Sequence, residues 1–272
     1  MQDAQPTSAP STLLGPEDPA PFSVFHREGR AELVMFCDHA GRAFPKALGT
    51  LGLGPRELEQ HIAWDIGIAG LGRRLARSLD APFFMTAYSR LVIDCNRHLD
   101  DPTSMPQESD RVRVPGNRGL SMDDRRRRQD EIFRPYHEAL AAEIAGRVAA
   151  GRIPVVISLH SFTPVMNGFQ RPWHVGVLWN KDARMPVPLM RRLAEEPDLV
   201  VGDNEPYSGR DGHGYSIKAH AERLGLAHAL LEIRQDLIAD ERGQETWAGI
   251  LHRVLKDVLA NPALHEIRMA AT

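Results

Sequence analysis

The chain of 272 residues has little cysteine. Cys37 and Cys95 are the two present, far apart and outside any Cys-x-x-Cys spacing, which excludes a disulfide scaffold and a cysteine-built zinc site. Long apolar runs are missing, so no stretch reaches the length of a membrane span. A basic excess is missing too: 33 lysines and arginines stand against 36 aspartates and glutamates, and a net charge of -3 offers no general surface for nucleic acid or anionic lipid. The first residues lack the basic-then-apolar order of a secretory signal. The expectation is a soluble, cytosolic protein with neither nucleic acid nor membrane as partner; nothing in the sequence fixes its oligomeric state. Without a break in composition, one domain is expected over residues 23–272, preceded by a loosely held arm over 1–22 that is rich in Pro, Ser, Ala and Gln and has little to bury.

What is present is a series of short apolar runs that each end in a polar residue. Ile153 to Ile157 is nearly continuous in branched apolar residues, as a strand covered on both faces requires, and it leads to His160. Ala31 to Cys37 reads as a strand running into Asp38-His39-Ala40-Gly41, a polar turn. Leu91 to Ile93 reads as a third, bracketed by Arg90 before and Asp94, Asn96 and Arg97 after. His174 to Trp179, Leu199 to Gly202 and Ala227 to Arg234 continue the series, the last carrying Glu232 and Arg234.

Helical periodicity separates these runs. From Pro55, Leu58, Ile62, Asp65 and Ala69 fall on one stripe, which places a carboxylate on an apolar helical face, and His61 one turn earlier is its candidate partner. Ser121-x-x-Asp124 has the form of a capping box, and the helix it opens carries Ile132, Tyr136, Leu140, Ile144 and Val148 as a stripe up to Gly151. The four arginines Arg125 to Arg128 near its start read as a solvated, ion-paired face. Pro186 to Glu195, Ser216 to Leu224 and Thr246 to Leu259 are further helices, and His98 to Ser121 a long polar loop. Strands alternating with helices predict an α/β fold, with helices on both faces of a mostly parallel sheet.

In such folds ligands collect outside the carboxyl ends of the strands, where His39, Asn96 with Arg97, His160 and Glu232 are all expected. Two histidines and a carboxylate form the ligand set of hydrolytic zinc sites, and a further carboxylate then takes the proton from water. An arginine next to an asparagine suits the grip of a substrate carboxylate. No compact His-Glu-x-x-His signature ties these parts together.

Asp38-His39-Ala40-Gly41 with Pro45, Ser89 to Arg97 (SRLVIDCNR), Leu159-His160-Ser161-Phe162 and Leu231-Glu232-Ile233-Arg234 together resemble the N-formylglutamate amidohydrolase family, over about residues 30 to 260. That family is related to zinc carboxypeptidases and aspartoacylases. The resemblance implies a single three-layer α/β/α domain of the phosphorylase/hydrolase-like kind with a mixed, mostly parallel sheet. It implies one zinc ion held by His39 and His160, Asn96 and Arg97 as a carboxylate clamp, Glu232 as general base, and a small anionic N-acyl amino acid as substrate. Arg90 is the candidate oxyanion donor, and Arg210 or Arg234 the candidate second carboxylate donor. The relatives take their acidic zinc ligand three residues after the first histidine, where this chain has Arg42. Asp65 is the candidate in its place, with Asp38 and His61 as competitors. Two other readings stand beside the metallohydrolase: a protein of the same fold that binds metal or carboxylate without catalysis, and a serine hydrolase using Ser161 beside His160, against which the chain offers no Gly-x-Ser-x-Gly elbow.

Overall fold

The computed structural model describes residues 12–211 and 214–269. Its centre is strand β6 (Val155–Phe162), whose eight residues are all buried. It starts two residues later than the apolar run, because Pro154 has no N–H for the ladder, and Val155 N–H makes the first bond, to Glu32 O at 2.9 Å. It also runs past His160, which lies inside the sheet rather than beyond it.

Around β6 a seven-stranded sheet is ordered β1 (Phe22–Phe25), β3 (Phe83–Thr86), β2 (Leu33–Cys37), β6, β11 (His228–Arg234), β9 (Val175–Leu178) and β10 (Val201–Asp203). The pairs β3·β2, β2·β6, β6·β11 and β9·β10 are parallel, and β1·β3 and β11·β9 antiparallel. Two small hairpins, β4–β5 (Glu108–Ser109, Val112–Arg113) and β7–β8 (Val165–Met166, Phe169–Gln170), stand apart from it. Side chains alternate across the sheet. Met35, Ile157 and Leu231 pack with Leu71 and Leu75 of α2 (Ile68–Leu79), Leu189 of α5 (Pro186–Leu193) and Leu251 of α7 (Glu241–Leu259). On the other face Phe36, Val156 and Leu230 pack with Tyr136 and Leu140 of α4 (Arg134–Ala149) and Ile217 of α6 (Tyr215–His220). The layers are therefore helix, mixed sheet and helix, as the sequence predicts. Among the described residues no helix is long and apolar enough to cross a membrane.

Four expectations need correction. The helix from Pro55 stops after one turn, α1 (Pro55–Leu58), and the next begins at Ile68. Asp65 lies in the turn between them, where Gly67 has φ +81° and a Cβ there would meet Ile238 O at 2.0 Å, so the helical stripe is broken by backbone geometry. Leu91 to Ile93 is buried but not a strand; its carbonyls are taken up from elsewhere, Leu91 O by Asn117 Nδ2 at 2.8 Å and Val92 O by Arg128 Nη1 at 2.9 Å. Arg128 is thus not solvated: it closes α3 (Met122–Arg128), which runs into α4 through a π-helical turn over Gln129–Phe133. It is 1% exposed, and Nη1 also donates to Asn117 Oδ1 at 2.6 Å. Finally, residues 12–21 of the expected arm are fastened down, Leu13 being buried and the N–H groups of Leu13 and Leu14 donating to the Glu131 carboxylate. The rest of that arm, 1–11, lies outside the described residues.

Two predictions follow from packing. Arg128→Met leaves the carbonyls of Val92 and Asn117 buried without their donor, and is expected to lower unfolding free energy by about 3 kcal/mol in urea titration with an unchanged slope. The second concerns His137 and His220, buried 2.8 Å apart between α4 and α6. Burial pushes both imidazoles down, His220 to about 4. The fold holds them neutral while the unfolded chain protonates near 6.5, so their contribution is present above that pH and is lost as pH falls toward 4. Comparison of chemical denaturation at pH 7 and pH 4.5 should show His220→Gln less acid-sensitive than the parent by roughly 2 kcal/mol.

Candidate metal centre and active site

Three parallel strands deliver the first side chains. β2 ends at Cys37, and the turn that follows carries Asp38 and His39. Gly41 in that turn is required by close approach, since a Cβ there would fall 2.1 Å from Ala87 O. β6 carries His160, and β11 places Glu232 directly opposite it in register. The Asp65 turn is stitched across these strand ends: Asp65 N–H donates to His39 O at 3.0 Å, Ser161 N–H to Asp65 Oδ2 at 3.2 Å, and Ser161 Oγ to Ile66 O at 3.0 Å.

His39, Asp65 and His160 consequently meet, each offering one donor atom, with those atoms all within 4.8 Å of one another and all three residues buried. His160 Nδ1 lies 2.8 Å from Asp65 Oδ2, and His39 Nδ1 lies 3.5 Å from Asp65 Oδ1. The opposite ring nitrogens face other carboxylates, His39 Nε2 at 2.7 Å from Asp94 Oδ1 and His160 Nε2 at 3.5 Å from Asp38 Oδ2. This is the arrangement in which outer carboxylates orient imidazoles toward a metal. A test of fit is the state of the inner atoms. His39 Nδ1 and Glu232 Oε2 are buried without a hydrogen-bond partner, a costly condition that a cation and its water relieve. The residues fit a divalent ion.

Both competitors for the acidic position lie elsewhere. Asp38 is behind His160, its Oδ1 accepting from Tyr136 Oη at 3.0 Å and Ser216 Oγ at 2.7 Å. His61 does not pair with Asp65; its Nε2 lies 3.4 Å from Asp110 Oδ2 at the β4–β5 turn.

The group lies in the wall of a cavity that is also lined by His61, Arg90, Asn96, Arg97, Tyr207 and Glu232. Arg90 donates through Nε and Nη2 to Asp94 Oδ2, at 3.2 and 2.7 Å, which fixes its guanidinium at the edge of the cavity. Asn96 is oriented by Ser216, whose N–H donates to Oδ1 at 3.1 Å, leaving Nδ2 turned toward His160 Nε2 at 3.5 Å. Arg210 and Arg234, expected as further carboxylate donors, are not brought to this cavity: Arg210 stacks over Trp179, and Arg234 donates to Asp236 Oδ1 at 2.9 Å. Ser161 and His160 are strand neighbours with side chains to opposite faces, and with Oγ given to Ile66 O they form no nucleophile and base pair.

The electrostatics separate the carboxylates. Burial would raise Asp65 and Asp94, but His39 and His160 outweigh it at Asp65, and Arg90 and His39 at Asp94, so both are held below the usual carboxylate range. Glu232 has no such close partner, and burial pushes it up to about 7, with His160 opposing. One carboxylate is therefore suited to holding charge and another to exchanging a proton near neutrality. Asp94, named in the sequence only as a polar neighbour of Leu91 to Ile93, and Tyr207 were not assigned a role by sequence reasoning. Asp94 could have been, as an acid within the same short segment as Arg90, Asn96 and Arg97, whereas Tyr207 follows a Pro in a loop and carries no signal of its own.

The family model for N-formylglutamate amidohydrolase matches residues 31–239. The solved structure of a gene product of Agrobacterium tumefaciens is 35% identical, with a TM-score of 0.88, over 91% of this chain and 98% of that one. The N-formylglutamate amidohydrolase of Ralstonia eutropha is 20% identical, with a TM-score of 0.68, over 89% of this chain and 97% of that one, a likeness of fold. No curated protein matches this chain.

The geometry predicts a ranked response of metal content. His160→Ala and Asp65→Ala should remove stoichiometric metal in elemental analysis, whereas Asp94→Asn, whose side chain meets His39 at its outer nitrogen rather than at the metal-facing one, should keep the ion but weaken its affinity by about 10- to 100-fold in chelator competition. Equal affinity in Asp94→Asn and the parent would contradict the orienting role.

Proposed function

The chain belongs to the N-formylglutamate amidohydrolase family, and from that premise we propose that it hydrolyses the amide bond of an anionic N-acyl amino acid such as N-formylglutamate. The observation that carries this reading is the register of β6 and β11, which sets Glu232, with a free carboxylate oxygen, beside His160 of the histidine and aspartate group. We take His39, Asp65 and His160 as the residues that hold one zinc ion, the donor set of two imidazoles and one carboxylate suiting that metal. When bound, the ion supplies an acidified water and polarises the acyl carbonyl.

The remaining work falls to side chains. Asn96 and Arg97 bind the substrate carboxylate and so align the scissile bond in the cavity. Glu232 takes the proton from the attacking water and returns it to the leaving nitrogen, a role its carboxyl at about 7 suits at neutral pH. Arg90, held by Asp94, offers its charge to the oxygen that becomes negative as water adds. The products are the free amino acid and the carboxylic acid of the acyl group. Cys37 and Cys95 are both free and buried, which agrees with a reducing cytoplasm as the place of action.

Two measurements decide among the readings. Zinc-loaded protein should hydrolyse N-formyl-L-glutamate, lose that activity on chelation and regain it with zinc. Glu232→Gln should lower kcat by about 10²- to 10⁴-fold while keeping its metal. Full activity after complete metal removal would contradict the proposal, and a stoichiometric metal with no turnover of any N-acyl amino acid would make the chain a binding protein.

A further inference from the structure

Two hairpins stand clear of the central sheet, and both meet the wall of the cavity. β7–β8 follows directly on Phe162 and Thr163, which line it. β4–β5 reaches it through His61, another lining residue, whose Nε2 lies 3.4 Å from Asp110 Oδ2 in the turn of that hairpin. The next residue, Arg111, donates through Nη2 to Asn167 Oδ1 at 3.1 Å in the turn of β7–β8. Contacts through His61, Asp110 with Arg111, and Asn167 therefore run from one part of the cavity wall to a hairpin rooted at another.

The root of β7–β8 is firmly packed. Arg171, 7% exposed, closes it, its N–H donating to Pro164 O at 2.8 Å. The guanidinium donates to Thr163 O at 3.3 Å and to Tyr207 Oη at 3.2 Å, and lies over the rings of Phe162 and Tyr207, 5.7 and 5.0 Å from their centroids. All three partners line the cavity, so root and wall form one packed unit. The far end of the hairpin differs. Its strands have two residues each, too few to hold a hairpin in water by themselves. Val165 and residues 167–170 are exposed, Phe169 by 58%. Among the described residues, the side-chain hydrogen bond that fastens this turn to another part of the fold is the one from Arg111 to Asn167, both exposed, a kind of contact that opens readily. A fixed root, a loosely tied tip and an apolar ring left in water beside a polar cavity are the features of a segment that moves over a site.

We propose that β7–β8 is a lid over the mouth of the cavity, turning about Thr163–Pro164 and Arg171, and that Arg111 and Asn167 are the latch that holds it shut, anchored to the wall through Asp110 and His61. Opening breaks one exposed hydrogen bond and leaves the packed root in place. Closing narrows the path by which water and solutes reach His160 and Glu232. The inference rests on the function proposed above only for the identity of the molecule that passes.

The latch can be made covalent. Cys37 and Cys95 are buried, so in full-length R111C/N167C the two introduced thiols are the ones that a reducible bismaleimide joins. Access to the cavity is read without substrate or metal, from the rate at which diethyl pyrocarbonate labels His61 in peptide mass spectrometry. His26, which pairs with Asp80 ahead of β3 at the other end of the sheet, is the reference. Cross-linking should slow the labelling of His61 by about tenfold, the scale of one hydrogen bond no longer free to open. Reducing the linker should restore the rate, and Asn167→Ala, which removes the latch without adding a thiol, should label His61 faster than the parent. In zinc-loaded protein kcat/KM for N-formyl-L-glutamate should fall with the cross-link and recover on reduction. Labelling of His61 or kcat/KM left unchanged by the cross-link would overturn the lid. Labelling that follows the linker in a protein that turns over no N-formyl amino acid, linked or reduced, would sink the proposed reaction and leave the lid standing.

Discussion

The Asp65 carboxylate, buried between two imidazoles, is the interaction on which the rest of the site depends. It lies 2.8 Å from His160 Nδ1 and 3.5 Å from His39 Nδ1, and its own backbone N–H reaches His39 O. A carboxylate so enclosed is tolerable only when its charge is matched. Matching it fixes both rings in orientation, and their outer nitrogens then select Asp94 and Asp38 as partners. Asp94 in turn holds Arg90, so one buried charge propagates into the placement of the cation at the rim.

The fold provides what this arrangement requires. Parallel strands β2, β6 and β11, the middle three of the sheet, bring three chain segments together, and register makes His160 and Glu232 neighbours. The two carboxylates differ because their surroundings differ: Asp65 has two imidazoles against it, whereas Glu232 has burial and one unpartnered oxygen. Behind the sheet, Asp38 links His160 to Tyr136 of α4 and Ser216 of α6, so the helical layer on that face also bears on the orientation of the ring. α6 serves twice, since the same segment orients Asn96.

Much of this was legible in the sequence because a strand covered on both faces must be almost wholly apolar, so the polar residues that end or interrupt such runs stand out. His39, His160 and Glu232 are of this kind. Asp65 was legible as a carboxylate among apolar residues, but its supposed helix was not there: a glycine in the left-handed region and a set of hydrogen bonds to remote strand ends outweigh local periodicity. Leu91 to Ile93 misled for a related reason, since three buried apolar residues are as well accommodated by a loop whose carbonyls are satisfied by Asn117 and Arg128. Arg128 itself lies four residues before Ile132 on the same stripe as Tyr136 and Leu140, and helical spacing alone could have separated it from its three arginine neighbours.

On the function proposed here, His39, Asp65 and His160 together hold one metal ion within reach of Glu232. The most direct test is a crystal structure of zinc-loaded protein with diffraction recorded on both sides of the zinc absorption edge. A single anomalous peak is expected, bonded to the Nδ1 atoms of His39 and His160 and to the Asp65 carboxylate, with Glu232 beside it. A peak coordinated by other residues, or none at this position in protein shown to contain zinc, would contradict it.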